Sequence, residues 1–213
     1  MRANIVLGNG ERLRIFGVIK GLSTERDSVR SEFARGRKPD FIALSISPEE
    51  LKGLREYREG EDDKNIVLTD YEEIYAQHLR KWGDIEIPPP CYTEALRISN
   101  DEKTRIGAID MDEDSFTNAY CAYISGTQLV RHSLRKSILR NFEIKAETPE
   151  EFVLKWDAKV NKISGYRRLE EKREQHMAKR LVSISERYKD VLAFIELERS
   201  RGVAEKIKKL GKS

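Results

Sequence analysis

Residues 12–45 read RLRIFGVIKGLSTERDSVRSEFARGRKPDFIALS. The stretch contains a short apolar run that ends at Gly17, a segment with apolar residues one helical turn apart, and a second apolar run after Pro39. This pattern predicts a strand, a loop, a helix and a buried strand, which together form a βαβ unit. Functional groups in such units usually lie at the carboxyl ends of the strands, which here are close to Lys20 and Ser45.

The remaining segments predict further strands and several helices around this unit. Residues 4–16 have the pattern of a β-hairpin with an Asn-Gly turn. The last strand is predicted at residues 191–197 and the last helix at residues 202–210, and most of residues 127–188 is predicted to be helical. We therefore expect one α/β domain over residues 1–213, with a central mixed or mostly parallel sheet, helices on both faces and a helical segment inserted before the last strand.

Composition limits the class of protein. No run approaches the roughly 18 apolar residues of a transmembrane helix, and the N-terminus lacks a secretory signal pattern. The only two cysteines, Cys91 and Cys121, are isolated, so neither a disulfide nor a zinc site is predicted. We expect a cytoplasmic protein with no cofactor, no bound metal and no membrane partner. Abundant Lys, Arg and Glu are also typical of proteins from hot environments.

Charge is distributed unevenly along the chain, although the net charge is only +3. Residues 1–130 carry 18 Lys and Arg against 24 Asp and Glu, whereas residues 131–213 carry 22 against 13. The split predicts an acidic partner for the basic half, attraction between the two halves, or a homodimer interface. The sequence leaves these three interpretations open.

Two motifs in the first quarter of the chain resemble the TraB/PrgY/GumN family, to which the Tiki-type membrane peptidases also belong. That family has a Gly-x-x-His loop, a helix, and Pro-Asp before a strand that ends in Glu. Here Gly17 and Pro39 with Asp40 match the pattern. Lys20 stands at the histidine position and Ser45 at the glutamate position.

The C-terminal region resembles the second half of the same family. There a strand ends in Gly-x-Gly-His and is followed by another glycine. In this chain Glu196 and Glu198 stand at the two glycine positions, Arg199 stands at the histidine position, and Gly202 is retained. Arg173 stands where a helix motif of the family has its arginine.

The resemblance implies a fold that brings both loops to the same edge of one sheet. In family members with peptidase activity, the two histidines and the glutamate are thought to bind metal and to perform hydrolysis. Lys20 and Arg199 are cationic and would repel a divalent ion, and Ser45 replaces the carboxylate. We therefore expect Lys20, Ser45, Arg173 and Arg199 to line one cleft, and we expect the protein not to be an enzyme of the family type.

The cleft has two interpretations. Its cations can form an anion pocket, because Arg grips carboxylate or phosphate with two hydrogen bonds. They can instead be neutralised within the protein by Glu196 and Glu198, which would share one face of the predicted strand because side chains alternate. The second interpretation makes the cleft a salt-bridge network that fills a vacated site.

A weaker candidate site lies at the end of the strand predicted before residue 110. The pattern of Asp110 and Asp112 also resembles the family, and it invites a calcium-loop interpretation. However, Ser115 stands where such a loop needs glycine, and Cys121 stands where it needs glutamate. We expect solvated carboxylates, some of which cap the next helix.

A helix predicted over about residues 127–142 is amphipathic and basic. Its apolar stripe consists of Val130, Leu134, Ile138 and Phe142, and its basic face of Arg131, Arg135, Lys136 and Arg140. The basic face, together with lysines near the C-terminus, is compatible with nucleic-acid binding. No recognition motif accompanies it, so we expect a solvated helix face and no nucleic-acid partner.

Together these features predict a catalytically degenerate TraB-like protein. Its predicted function is that of a binding or regulatory module for a small anionic ligand or a protein. The alternative is a hydrolase with a remodelled site that acts on an anionic substrate. A basic nucleic-acid-binding protein is the third hypothesis. The histidines lie on separate predicted helices. Cys91 is predicted in a loop after three prolines and lacks a neighbouring base, so none of these residues is expected to be catalytic.

Overall fold

Short strands form one sheet at the centre of the molecule. The computed structural model describes residues 2–6, 12–57 and 68–211. Within them the strands are β1 (Arg2–Val6), β2 (Arg12–Val18), β3 (Phe41–Leu44), β4 (Arg105–Ala108) and β5 (Asp190–Glu196). They pair in the order β1-β2-β5-β3-β4, with β1 antiparallel to β2 and the other pairs parallel. The predicted mostly parallel sheet is confirmed, and the turn of the predicted hairpin lies outside the described residues.

Helices cover both faces of this sheet. They are α1 (Glu25–Ala34), α2 (Pro48–Glu56), α3 (Asp70–Leu79), α4 (Pro90–Asp101), α5 (Glu113–Tyr123), α6 (Gly126–Asn141), α7 (Pro149–Val160), α8 (Ser164–Ser185) and α9 (Leu197–Leu210). A short 3₁₀ turn, Arg80–Trp82, continues α3. Helices α5 to α8 stand between the last two strands, so the predicted single α/β domain with a helical insertion is confirmed.

Side chains of the central strand β5 alternate between two apolar cores. Val191, Ala193 and Ile195 pack on the side of α8 and α9. Leu192 and Phe194 pack on the side of α1, α2 and α4. All five are fully buried, which explains why this strand is a continuous apolar run rather than an alternating one.

A third apolar cluster covers the carboxyl ends of the parallel strands. It joins Ile19 and Leu197, which follow β2 and β5, to Leu79 of α3 and to Phe152 and Trp156 of α7. This cluster places two helices over the edge of the sheet at which the site residues were predicted.

The predicted boundary between the last strand and the last helix is wrong. β5 ends at Glu196 and α9 begins at Leu197, whereas the sequence pattern predicts that the helix begins at Gly202. Glu198 therefore lies in the first turn of α9 and does not share a strand face with Glu196. The boundary has no Gly, Pro or capping side chain to mark it, and Leu, Glu and Arg are all good helix formers.

Two other local expectations are also corrected. Cys91 is not in a loop but in the first turn of α4, fully buried, because Pro90 at the helix start is compatible with helical geometry. The apolar stripe of α6 faces solvent, although an amphipathic helix normally buries such a stripe: Val130, Leu134 and Ile138 are each more than half exposed.

Candidate functional site

The residues predicted to form a cleft lie together at the carboxyl edge of the sheet. Lys20 follows β2, Ser45 follows β3, and Glu196 ends β5, which lies between those two strands. Arg173 reaches the same place from α8, and Arg199 lies in the first turn of α9. The strand order brings residues from the first and the last parts of the sequence together at this edge.

Glu196 is at the centre of this group. Its Oε1 atom lies 3.2 Å from Nζ of Lys20, and its Oε2 atom lies 3.6 Å from Nη2 of Arg173. Burial opposes ionisation of Glu196, but the charges of Lys20 and Arg173 outweigh it and hold the pKa of the carboxyl below its usual range. Burial likewise disfavours the Lys20 ammonium, but Glu196 and Glu50 keep its pKa above the usual value. Glu196 and Lys20 therefore form a charged pair at neutral pH.

Ser45 links two strands through hydrogen bonds of its hydroxyl group. Its Oγ atom accepts a hydrogen bond from the backbone N–H of Glu196 at 2.9 Å. The same atom lies 2.9 Å from the hydroxyl of Tyr92, with which it shares a second hydrogen bond. Burial, with a further contribution from Glu196, holds the pKa of the Tyr92 hydroxyl well above its usual value. Ser45 thus joins the ends of β3 and β5.

Arg173 connects Glu196 to two more carboxylates. Its Nε atom donates to Asp110 at 3.0 Å, and its Nη1 atom donates to Glu170 at 2.8 Å. Asp110 is therefore a buried member of the site and not the solvated carboxylate that the sequence predicted. Asp112 does cap a helix, because its carboxylate accepts the N–H of Ser115 at the start of α5.

Arg199 belongs to the same network but does not contact Glu196 within salt-bridge distance. Its guanidinium lies 3.3 Å from Glu174 and 3.6 Å from Glu170, and it also pairs with Asp157. Glu170 therefore links Arg199 to Arg173. On the far side, Nζ of Lys206 lies 2.6 Å from Glu174.

Carboxylates outnumber cations in this carboxyl-edge network. The network consists of Lys20, Arg173, Arg199 and Lys206 together with Asp110, Asp157, Glu170, Glu174 and Glu196. Every cation in it has a carboxylate partner, so an added anion would have to displace one. The geometry supports the salt-bridge interpretation of the cleft over the anion pocket.

Two acidic side chains beside the network hold protons more tightly than usual. Burial, reinforced by the charge of Glu196, raises the pKa of Glu198 to about 8. Burial also raises the pKa of Glu25 to about 7, although its carboxylate accepts the backbone N–H of Ile19 at 3.2 Å. That bond shapes the loop that carries Lys20.

The two glycines retained from the resemblance have packing roles. A side chain at Gly17 would come within 2.9 Å of Leu197, so the close approach of β2 and α9 requires glycine. A Cβ atom at Gly202 would lie 2.1 Å from Oε2 of Glu174, which Arg199 and Lys206 hold in place. Both glycines keep α9 close enough for the network to form.

The sequence predicts Glu196 as a partner of the cations, but not the other four carboxylates of the network. Glu170 stands three residues before Arg173 on α8, so the i, i+3 spacing was a usable signal for that pair. Asp157 comes from α7, and no local pattern connects it to Arg199. Only the packing of α7 against α9 reveals that pair.

A second candidate site was not predicted and lies at the opposite, amino-terminal edge of the sheet. Two open hollows of about 580 and 610 Å³ share the residues 103–105 and Tyr188. Around them lie the exposed cations of the basic depression, namely Arg37, Lys38, Arg55, Lys103, Arg105, Arg187 and Lys189, and the exposed Asp40 lines one of the hollows. Lys38 pairs with Glu102, and Arg105 donates to the hydroxyl of Tyr188. Within the described residues, no ion pair joins Arg187 or Lys189 to a carboxylate.

The basic face of α6 is partly occupied by contacts within the molecule. Arg135 donates to the carbonyl oxygen of Lys159 at 2.7 Å, and Lys136 pairs with Asp70. Arg131 and Arg140 remain exposed.

Two kinds of feature are absent from residues 2–6, 12–57 and 68–211. No group of three or more His, Cys, Asp or Glu side chains in these ranges is arranged to hold a metal ion. No helix in the same ranges has the length and apolarity needed to cross a membrane. Comparison with known proteins finds no family model that matches the chain and no curated protein that matches it.

Proposed function

We propose that this protein is a TraB-type binding or regulatory module in which an ion-pair network takes the place of a catalytic centre. The observation that carries the proposal is the position of Glu196 between Lys20 and Arg173 at the end of the central strand. The carboxylate neutralises these cations and leaves no open coordination site between them. Burying such charges is favourable only when they are paired in this way.

The side chains at the two histidine positions and the glutamate position of the family pattern support the same conclusion. The Lys20 ammonium and the Arg199 guanidinium have no lone pair for a metal ion. The Ser45 hydroxyl is committed to the backbone of Glu196 and to Tyr92. A family-type hydrolytic centre would need all three positions to change.

The proposal is tested by elemental analysis and by hydrolysis assays on the purified, dialysed protein. We expect zinc, manganese and cobalt far below one equivalent per chain, and no metal-dependent turnover of peptides. One equivalent of metal that is lost in Glu196→Gln, while the metal remains bound in the surface control Glu205→Gln, would overturn the proposal.

A remodelled hydrolase is the second candidate function, and one observation favours it. Glu198 has a pKa of about 8, is half-buried and is close to the charge of Glu196. A carboxyl that is protonated at neutral pH is suited to general-acid catalysis. Turnover of an acidic peptide or a phosphate ester that disappears in Glu198→Gln, with the fold retained, would favour this candidate over the binding module.

For the binding module, we propose a small anionic ligand at the basic depression rather than at the carboxyl-edge network. Arg187 and Lys189 face solvent there without a carboxylate partner in the described part of the chain. Tyr188 stands between them and packs on Phe41, with ring centroids 4.9 Å apart. Guanidinium and ammonium groups around an open hollow suit a phosphate-bearing ligand.

A further inference from the structure

Helix α6 is attached to the molecule along one side only. Leu139 is buried in the apolar cluster that covers the carboxyl edge of the sheet. His132 stacks between the rings of Tyr71 and Tyr166, with centroid distances of 4.3 and 3.9 Å. These contacts fix which face of the helix points towards the body.

The opposite side of α6 is an apolar ridge in solvent. The α6 ridge consists of Val130, Leu134 and Ile138, followed by Phe142 just beyond the helix end, and these side chains are 61%, 69%, 63% and 44% exposed. A four-residue step keeps them on one face over three turns. Large exposed apolar residues elsewhere, such as Phe116, Leu154 and Leu210, lie on three different helices. A continuous ridge of this kind marks an interaction surface.

The charge of α6 defines what can cover this ridge. Its 16 residues include four cations and no Asp or Glu, in a chain that has 37 acidic residues. The helical period places the exposed Arg131 beside the ridge near Leu134, and Nζ of Lys159 lies 3.8 Å from the ring centroid of Phe142 at the other end of the ridge. The complementary partner is therefore apolar in the middle and negatively charged around it.

From this combination we infer that the α6 ridge binds the surface of an anionic lipid bilayer. The apolar side chains would enter the boundary between headgroups and acyl chains, while Arg131 and Lys159 extend to the lipid phosphates. Such a helix lies in the interface and does not cross the membrane, so it does not need the length of a transmembrane helix. The inference departs from the sequence-based expectation that the protein has no membrane partner.

Two other occupants fit the charges less well. A second copy would have to pair through its own α6, since the described residues offer no other apolar ridge, and two helices that each carry four cations and no acidic residue would then lie side by side. A nucleic acid would place its phosphates against the apolar side chains of the ridge. An anionic bilayer offers acyl chains to the apolar ridge and phosphates to the cations beside it.

The experiment is flotation of the full chain with vesicles of phosphatidylcholine alone or with roughly one-third phosphatidylglycerol. We expect the protein to float with the mixed vesicles and not with the neutral ones. Leu134→Ser combined with Ile138→Ser should weaken binding at least about tenfold, because both side chains lose their apolar contact. Arg131→Glu should weaken vesicle binding about fivefold or more, and added salt should also weaken it.

Matched controls separate the ridge from general surface effects. Leu154→Ser combined with Leu210→Ser removes two exposed leucines on other helices and should leave binding unchanged. Tryptophan fluorescence gives an independent measurement: Leu134→Trp should shift its emission to the blue with mixed vesicles, whereas Leu154→Trp should not. Because all these side chains are exposed, each variant should melt close to the wild-type temperature.

Several results would overturn the inference. They are equal binding to neutral and anionic vesicles, no binding to either, or unchanged binding in the ridge variant. A concentration-dependent dimer that Leu134→Ser abolishes would assign the ridge to a second copy instead. Submicromolar binding of single-stranded RNA that Arg131→Ala with Arg135→Ala abolishes would assign it to nucleic acid.

Discussion

The Lys20 ammonium lies 3.2 Å from the Glu196 carboxylate, although the two residues stand near opposite ends of the chain. The contact follows from the strand order, because β5 lies between β2 and β3 and pairs Glu196 with Val18 in the register. The loop after β2 therefore passes beside the end of β5. The ion pair therefore forms only if the strands have this order in the sheet.

Glu196→Gln should lower the free energy of unfolding by about 1–3 kcal/mol. The substitution keeps the shape of the side chain and removes the charge that Lys20 and Arg173 face. The loss should be below that of a fully buried pair, because Lys20 is one-third exposed and Arg173 keeps Asp110 and Glu170. Urea unfolding measures the difference.

The control for this prediction is Glu205→Gln, which removes the partner of Arg201 on the exposed side of α9. Its unfolding free energy should match the wild type within the error of the measurement. A double-mutant cycle with Lys20→Met should also show that Lys20 and Glu196 are coupled. Additive effects in that cycle would mean that the pair does not exist in solution.

Gly202→Ala should destabilise the protein by about 1–3 kcal/mol, because the new methyl group would overlap the Glu174 carboxylate. Glu174 cannot move away without breaking its bonds to Arg199 and Lys206. Gly53→Ala in α2 is the matched control: nothing lies within 4 Å of the added methyl group, and the change should stabilise by about 0.5–1 kcal/mol. Equal effects at both glycines would show that α9 does not approach Glu174 of α8 closely at Gly202.

Much of this arrangement follows from the sequence, and the remainder depends on packing. The βαβ pattern of residues 12–45 and the resemblance together predict that Lys20, Ser45 and Arg173 meet at one edge of a sheet. Of the acidic partners, Glu196 was predicted and the others were not, because pairs such as Asp157 with Arg199 depend on how two helices cross. Local periodicity contains no information about that crossing.

The orientation of α6 shows a similar limit. Four-residue steps at Val130, Leu134 and Ile138 correctly predict an amphipathic helix. They do not decide which face is buried, and here His132 and Leu139 on the opposite face make the contacts with the body. Tertiary contacts of an aromatic stack thus override the apolar pattern.

Glu198→Gln should stabilise the protein more at pH 9 than at pH 5. A carboxyl whose pKa rises from 4.5 to about 8 on folding keeps its proton in the folded state while the unfolded chain loses it. The stability contributed by the protonated group is therefore complete below about pH 4.5 and is lost as the pH rises towards 8. The Gln variant, which resembles the protonated form, should not show this loss.

Melting temperatures of both proteins across this pH range measure the effect. Glu205→Gln serves as the control, since its carboxylate is exposed and its removal should leave the shape of the pH curve unchanged. A constant difference between Glu198→Gln and the wild type from pH 5 to pH 9 would contradict the raised pKa. It would also remove the main support for a general acid at this position.

Inorganic pyrophosphate should raise the melting temperature of the wild-type protein by binding at the basic depression. A ligand at a hundred times its dissociation constant stabilises the folded state by about 2.7 kcal/mol, which a thermal melt detects easily. Arg187→Glu combined with Lys189→Glu should abolish the shift, because it reverses two charges beside the hollow. The effect should weaken as salt screens the exposed charges.

The matched control is Lys179→Glu combined with Arg180→Glu, which makes the same change in net charge on the exposed side of α8, outside the hollows. That variant should keep the pyrophosphate shift. If both double variants lose it equally, the ligand responds to overall charge and the basic depression is not a site. If neither loses it but Lys20→Met does, the anion binds at the carboxyl-edge network after all, by displacing the carboxylate of Glu196.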